Sequence, residues 1–232
     1  MSERQIILDT ETTGLDPKQG HRMIEVGCVE LIDRKLTGNN FHHYLQPDRQ
    51  IEEDAAKVHG ITDAFLRDKP RFADIAEALA DYLRDAEVII HNAPFDIGFL
   101  DAEFARLPTA YQMAALCRLI TDTLTLARAR HPGQRNNLDA LCTRYQVDNT
   151  ARTQHGALLD AEILARVYLA MSSGQKSLKL VQRNSQKIGI IRRIRSDTCL
   201  SLMTPTAAEL AAHAHYLDRL DQTSGGKTVW RR

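Results

Sequence analysis

The apolar residues change their spacing partway along the chain, and this change limits the possible folds more than any other feature. Residues 5–9, 23–31 and 41–45 are apolar runs typical of β-strands, and a turn containing Gly and Pro separates the first two. Three strands in quick succession predict an antiparallel meander. A helical pattern at 72–83 then leads into a strand at 87–91. Strands first, and then strands alternating with helices, predict an α/β domain with a mixed sheet flanked by helices.

Four more helices are predicted after this strand, at residues 95–104, 123–130, 138–145 and 158–171. The next segment is polar and basic, and its weak periodicity predicts a linker. Two strand-like runs and a helix follow, with Thr206 and Glu209 at capping-box spacing where that helix begins. The chain thus has three predicted parts: a domain at 1–172, a linker at 173–187 and a small segment at 188–232.

Composition excludes several classes of protein. With 43% hydrophobic and 26% charged residues, the chain has ample material for a core, so global disorder is excluded. It contains no apolar run of about 18 residues and no signal-peptide pattern, which predicts a cytoplasmic protein with no membrane partner. The four cysteines lie far apart and are predicted to be reduced thiols: Cys28, Cys117, Cys142 and Cys199.

The formal net charge is zero, but the charges are unevenly distributed. Residues 173–232 carry 11 Lys and Arg against 4 Asp and Glu, whereas residues 1–172 carry 19 against 26. Such a division indicates two parts of the chain with different partners.

Asp9 and Glu11 stand at the end of the first predicted strand. Side chains two apart in a strand point to the same face, so two carboxylates meet at one place. Such pairs are common on exposed surfaces, but here buried-strand residues precede them. The turn that follows contains Gly14, whose backbone can approach a ligand closely. This context favours a metal site.

Asp96 follows the strand at 87–91 and lies where the next helix is predicted to begin. The helix macrodipole favours an anion in the first turn. Taken alone, an acidic residue that only stabilises the helix start is an equal alternative.

His155 and Asp160 form the third motif. Five residues of α-helix rotate two side chains to about 140° apart, so a wholly helical segment cannot aim both at one point. We therefore predict that His155 lies in the loop before the helix and that Asp160 lies in its first turn. Gly156 gives that loop freedom. Taken alone, an exposed loop histidine without a role is the favoured alternative.

Four carboxylates and a histidine at strand ends and helix starts suit hard cations with oxygen ligands. Two divalent cations, Mg²⁺ or Mn²⁺, are the predicted cofactors, since zinc prefers more nitrogen or sulfur. A histidine with a pKa near ~6.5 is suited to take a proton from an attacking water.

In this order the motifs resemble those of the DEDDh exonuclease family. LDTETTGLD, HNAPFDIGF and HGALLDAEILA are also similar to segments of the proofreading subunits of bacterial DNA polymerase III, and the resemblance spans nearly the whole chain. It implies a ribonuclease H-like fold and removal of mismatched 3′-terminal nucleotides as 5′-mononucleotides. Asp9, Glu11 and Asp160 are implied as direct metal ligands. Asp96 completes the implied acidic metal site, and His155 is the implied general base.

The resemblance also implies how DNA is bound. Single-stranded or frayed 3′ ends are the implied substrate, because an unpaired terminus is extruded at lower cost than a paired one. Asp54 stands where the family has Glu, and a core position is an equal alternative for Phe95. The implied nucleotide contacts are Asp9, Thr10, Glu11, Thr13, Gly14, Asp54, His59, Phe95 and Asp160.

The C-terminal part resembles the segment by which such subunits bind partners. Gln175, Leu178 and Leu180 resemble a sliding-clamp motif that lacks its usual aromatic residue, and a plain linker is the alternative. Trp230 is a predicted anchor on the catalytic (alpha) subunit of the polymerase. A small third core subunit is a further candidate partner, and nucleic-acid binding is the alternative for the basic segment.

Two other functions remain open at this point. One is an RNA 3′-exonuclease of the same superfamily, against which the polymerase-binding tail argues. The other is a silent scaffold for a polymerase, against which the intact acidic motifs argue.

Overall fold

The structure is a computed structural model that describes residues 3–152, 154–173 and 204–225. The chain divides into two units, residues 1–178 and 179–232. Apart from Ser173, the predicted linker lies outside the described residues. Both predicted C-terminal strands and four predicted partner contacts also lie outside them: Gln175, Leu178, Leu180 and Trp230.

A mixed sheet forms the centre of the first unit. Its strands are β1 (Arg4–Thr12), β2 (Met23–Ile32), β3 (Lys35–Leu36), β4 (Phe41–Tyr44), β5 (Glu87–Ile90) and β6 (Leu119–Asp122). The order across the sheet is β3-β2-β1-β5-β6, and β4 also pairs with β2. The β1–β2 and β2–β4 pairs are antiparallel, which confirms the predicted meander. Because β5 runs parallel to β1 and β6 parallel to β5, β1 and β5 end at the same edge.

Helices cover both faces of this sheet. In the first unit they are α1 (Glu53–His59), α2 (Asp63–Leu66), α3 (Phe72–Leu83), α4 (Ala93–Phe104), α5 (Met113–Leu116), α6 (Thr123–Arg130), α7 (Leu138–Tyr145) and α8 (Ala157–Ser173). The predicted helices correspond to α3, α4, α6, α7 and α8, with ends within two residues of the predicted ones. This arrangement confirms the predicted ribonuclease H-like class, a mixed sheet flanked by helices.

The alternation of side chains along β1 places the two cores on opposite faces of the sheet. Ile6 and Leu8 belong to the core under α3 and α4, whereas Ile7 belongs to the core under α7 and α8. Each of the three side chains is fully buried. The next odd-numbered residues, Asp9 and Glu11, therefore point to the same face of the sheet as Ile7.

Gly27 lets α8 lie close against the sheet. It pairs with Asp9 across β1 and β2, and a Cβ at this position would lie 2.2 Å from the backbone nitrogen of Leu158. Any side chain here would have to displace the first turn of α8. The close approach sets how far α8 lies from the end of β1.

In the second unit the described residues include α9 (Ala207–Ser224). The predicted capping box is present, since Thr206 Oγ1 accepts from Glu209 N at 3.3 Å and Thr206 N donates to Glu209 Oε2 at 2.7 Å. Among the described helices, none is long and apolar enough to cross a bilayer. Cys28, Cys117 and Cys142 are buried free thiols, as predicted, and Cys199 lies outside the described residues.

Candidate active site

Asp9 and Glu11 lie at the end of β1 on the face that α8 covers. Their position follows from the alternation of the strand, because Ile7 packs against α8 and the odd-numbered side chains share its direction. Glu11 is only 9% exposed. A carboxylate this well buried needs a cation or hydrogen-bond donors.

Asp96 reaches the same edge of the sheet from the junction of β5 and α4. Asn92 adopts a left-handed conformation with φ 69°, and α4 begins at the next residue. Asp96 therefore lies in the first turn, as predicted, and its side chain is buried. Its Oδ1 accepts a hydrogen bond of 2.7 Å from Thr10 Oγ1, which ties α4 to β1.

Asp160 and His155 arrive from the start of α8. Asp160 lies in the first turn of the helix and is buried, whereas His155 lies in the preceding loop with its side chain 44% exposed. Both placements agree with the helical geometry. The backbone of His155 donates a 3.2 Å hydrogen bond to Val58 O, which joins this loop to α1.

The burial of so many acids in one place changes their titration. Burial, and then the charge of Asp96, raises the pKa of Asp9 well above its ordinary value. Burial, and then the charge of Glu25, raises the pKa of Glu11 to about 8. Burial also raises the pKa of Asp96 to about 7, despite the hydrogen bond from Thr10. The site thus carries more negative charge than its surroundings stabilise, and a bound cation would relieve it.

Arg152 is a member of the site that the sequence analysis missed. Its Nε donates to Asp160 Oδ1 at 2.5 Å and its Nη2 donates to Asp160 Oδ2 at 2.7 Å. A third bond of 2.6 Å joins Nη1 to Asp139 Oδ1. Burial raises the pKa of Asp160, but its contacts with His155 and Arg152 outweigh burial and bring the pKa below its ordinary value. In the sequence Arg152 is only an isolated arginine three residues before the motif histidine, and no local pattern points from it to Asp160.

The donor set fits a hard divalent cation. Glu11, His155 and Asp160 each offer a ligand atom within 4.8 Å of the other two. Asp9 and Asp96 line the same cavity, so oxygen ligands predominate. This composition agrees with Mg²⁺ or Mn²⁺ better than with zinc.

Two cavities meet at this edge of the sheet. The first has a volume of about 420 Å³ and contains the five predicted catalytic residues together with His91, Asn92 and Arg152. The second has a volume of about 330 Å³, and much of its lining is apolar, with Leu15, Ala55 and Val58. Thr10, Glu11 and Phe95 line both cavities. An apolar cavity beside an acidic one suits a nucleobase next to its phosphate.

All of the predicted nucleotide contacts except Thr13 line one or both of these cavities. Gly14, Asp54 and His59 line the apolar cavity, and Phe95 both lines it and packs against the α4 core. The structure does not bring Thr13 to either cavity. Its side chain is buried, and its hydroxyl lies 3.1 Å from His21 Nδ1 and accepts from Arg22 N at 3.0 Å.

Leu15 and Val58 are further lining residues that the sequence analysis did not single out. They are 83% and 48% exposed, so both apolar side chains are accessible to a ligand in this cavity. Their signal in the sequence was weak, since each stands next to a motif residue without chemistry of its own.

Comparison with known proteins identifies the family. A model of the exonuclease family matches residues 6–168. The DNA polymerase III subunit epsilon of Salmonella typhimurium is 51% identical over 98% of this chain and 97% of its own length. The protein of the same name from Rickettsia felis is 44% identical over 96% of this chain and 99% of its own.

Solved structures agree on the fold. Exonuclease X in complex with 5′ overhanging duplex DNA is 29% identical, with a TM-score of 0.57 over 73% of this chain and 91% of that chain. Exonuclease I has a TM-score of 0.64 at 18% identity, over 74% of this chain and 41% of that one, a likeness of fold alone. With both sequence and fold in agreement, the chain belongs to the exonuclease family that contains the epsilon subunits of bacterial DNA polymerase III.

Proposed function

We propose that this chain is the 3′→5′ proofreading exonuclease subunit of the replicative DNA polymerase III. In this role it removes a mismatched 3′-terminal nucleotide as a 5′-mononucleotide. The observation that carries the proposal is the meeting of an acidic cavity and an apolar, base-sized cavity at one edge of the sheet. The names of the relatives supply the polymerase context.

Asp9, Glu11 and Asp160 are the proposed ligands of two divalent cations, Mg²⁺ or Mn²⁺, and Asp96 completes the acidic site. When bound, such cations supply charge stabilisation at the phosphate and make water more acidic. The raised pKa values of Asp9, Glu11 and Asp96 support this assignment, because each carboxyl gains from a neighbouring positive charge.

His155 is the proposed general base. Water attacks the phosphorus of the last phosphodiester, and His155 takes a proton from that water. The bond to the 3′ oxygen of the preceding nucleotide breaks, and this oxygen takes up a proton from solvent. The products are a 5′-mononucleotide and a shortened strand with a 3′ hydroxyl. The exposure of His155 in a loop beside buried Asp160 supports this role, since the ring lies where water has access.

The terminal base is proposed to occupy the apolar cavity between Leu15, Val58 and Phe95. Proofreading selectivity then follows from fraying, because an unpaired terminus reaches this cavity without the cost of melting a pair.

The polymerase catalytic subunit and the sliding clamp are proposed partners of the C-terminal segment, and a small third core subunit is a further one. The proposed location is the cytoplasm, at the replisome. The opposite charge balance of residues 1–172 and 173–232 supports different partners for the two parts of the chain.

A degradation assay on single strands tests the enzymatic part of this proposal. DNA and RNA oligonucleotides of one sequence, labelled at the 5′ end, are incubated with the protein and Mg²⁺, Mn²⁺ or EDTA. We expect stepwise shortening from the 3′ end with either metal, faster on DNA, and none with EDTA or with Asp9→Ala. Preference for RNA would favour the RNA exonuclease alternative, and an Asp9→Ala variant as active as the parent would favour a silent scaffold.

A further inference from the structure

We propose that Arg152 acts as the counter-cation of Asp160 in the metal-free protein and has to release that carboxylate before a divalent cation binds. This inference rests on the proposed metal site. Arg152 is then a positioning residue that competes with the metal, and it keeps the site assembled until the metal arrives.

The contact between Arg152 and Asp160 is a two-pronged ion pair. Both oxygens of Asp160 are used, at 2.5 Å by Nε and at 2.7 Å by Nη2. The two side chains are only 7% and 4% exposed, so water does not substitute for either partner. A parallel pair of charged hydrogen bonds is among the strongest contacts of a carboxylate in a protein.

A divalent cation at this site needs the same oxygens. Asp160 belongs to the group of ligand atoms within 4.8 Å of Glu11 and His155, and its Oδ2 lies 3.3 Å from His155 Nδ1. Because Arg152 donates hydrogen bonds to both Asp160 oxygens, a metal ion and the guanidinium cannot bind this carboxylate at the same time. Each therefore lowers the affinity of the site for the other, by the same factor.

Arg152 also covers the free lone pair of His155. Its Nη2 lies 2.8 Å from His155 Nδ1, and a guanidinium only donates hydrogen bonds, so Nδ1 is the acceptor. While Nδ1 accepts from Arg152, it cannot donate a hydrogen bond to Asp160 Oδ2, which lies 3.3 Å away. Release of Arg152 leaves Nδ1 free to donate to Asp160, and in that tautomer the lone pair is on Nε2, where it can accept a proton from water.

A second ion pair lowers the free-energy cost of separating Arg152 from Asp160. Arg152 Nη1 donates to Asp139 Oδ1 at 2.6 Å, and Asp139, in the first turn of α7, has a side chain that is 56% exposed. After leaving Asp160, the guanidinium has a hydrated carboxylate to hold it nearby. Arg152 thus moves between two acids and does not become a buried charge without a partner.

Two substitutions separate direct competition from a general effect of charge. Arg152→Gln removes both the charge and the fork, whereas Arg152→Lys keeps the charge and loses the two-pronged geometry. The matched control is Arg22→Gln. Arg22 makes the same kind of pair with buried Glu103, at 2.6 and 2.8 Å, on the α4 side of the sheet.

Binding of Mn²⁺ to each full-length variant is measured by titration calorimetry, and melting temperatures are measured in EDTA and in saturating Mn²⁺. We expect Arg152→Gln to bind Mn²⁺ about tenfold more tightly than the parent, equivalent to about 1.4 kcal/mol. Arg152→Lys is expected to bind about threefold more tightly, since an ammonium competes less well for two oxygens. Arg22→Gln should bind Mn²⁺ as the parent does.

The melting temperatures test the same competition between Arg152 and the metal without a fitted binding constant. Arg152→Gln should melt several degrees below the parent in EDTA, and the difference should largely disappear in Mn²⁺. Arg22→Gln should lose the same amount in both conditions. If Arg152→Gln does not fold, the same comparison is made with Arg152→Lys.

The possible failures are distinguishable. A parent protein that binds Mn²⁺ no better than Asp160→Asn would overturn the proposed metal site, and this inference with it. A parent that binds Mn²⁺ normally, with unchanged or weaker binding in both Arg152 variants, would overturn this inference alone. So would a melting difference for Arg152→Gln that is equal in EDTA and in Mn²⁺.

Discussion

His155 is the residue on which the proposed proton transfer depends most directly. Replacing it with alanine should lower the exonuclease rate by ~10²- to 10⁴-fold, the usual contribution of a general base. The measurement is single-turnover degradation of a single strand at saturating metal. His131→Ala is the control, because the His131 ring is hydrogen-bonded to Tyr145 and lines neither cavity. A His155→Ala variant that retained the parent rate would exclude this role.

Thr10 is a positioning residue that acts on the site through Asp96. Its hydroxyl donates to the buried Asp96 at 2.7 Å, and no other side-chain hydrogen bond to Asp96 is seen in the described part of the chain. Thr10→Val keeps the shape of the side chain and removes the donor, so the rate should fall about tenfold, as expected for a hydrogen bond to a charged group. Thr10→Ser should restore most of the rate. Equal rates for the valine and serine variants would show that the hydroxyl does not matter.

Sequence reasoning located some residues of the site better than others. Asp160 and His155 were placed correctly because helical rotation alone separates a loop residue from a first-turn residue. Arg152 was missed, because its approach to Asp160 depends on the path of the loop before α8, which no local pattern encodes. Thr13 was implied by resemblance, yet its hydroxyl faces His21 and the backbone of Arg22.

At the scale of elements, the approach of α8 to β2 determines where Asp160 lies. Gly27→Ala would place a Cβ 2.2 Å from Leu158 N, and backbone atoms cannot rotate away as a side chain does. We expect α8 to shift, the melting temperature to fall by several degrees and the exonuclease rate to fall by more than tenfold, since small misplacements of catalytic groups are costly.

Gly98→Ala is the matched control for this element. Gly98 lies within α4, and the nearest neighbour of a Cβ there is Pro17 Cγ at 4.0 Å, an ordinary contact. Alanine should stabilise the helix by about 0.5–1 kcal/mol and leave the exonuclease rate unchanged. A Gly27→Ala variant as stable and active as the parent would contradict the close packing of α8 on β2.

The strands differed in how well the sequence predicted them. β1, β2, β4 and β5 were recognisable as apolar runs, whereas β6 (Leu119–Asp122) was not predicted. Leu119 is 52% exposed, and the strand exists because it pairs in parallel with β5. A short edge strand that depends on tertiary pairing leaves little periodicity in the sequence. β3 has two residues and was missed for the same reason.

At the scale of the whole molecule, the described sheet, its two larger cores and the two cavities of the site lie within residues 3–173. A truncated protein of residues 1–172 should therefore retain the exonuclease rate on single strands. It should no longer bind the purified catalytic subunit of the polymerase, because the proposed anchor Trp230 is removed. Gel filtration of mixtures measures binding, and the full-length chain is the control. Co-elution of the truncated protein with the polymerase would show that the tail is dispensable.

The resemblance of the motifs predicted the family over nearly the whole chain and the fold of its first domain, and the comparisons confirmed the family and the exonuclease fold. The boundaries at 172 and 187 stay predictions, as do the sliding-clamp and third-subunit contacts. Such contacts depend on a partner surface, and the chain alone contains only one side of each.

The most direct test of the account is the removal of a single terminal nucleotide from a primer annealed to a template. Two primers that differ only in a paired or mismatched 3′ end are labelled at the 5′ end, and shortening by one nucleotide is timed with Mg²⁺. We predict faster removal of the mismatched nucleotide, release of a 5′-mononucleotide and no cleavage after Asp9→Ala. Equal rates for both primers, or shortening from the 5′ end, would contradict a proofreading 3′→5′ exonuclease at this site.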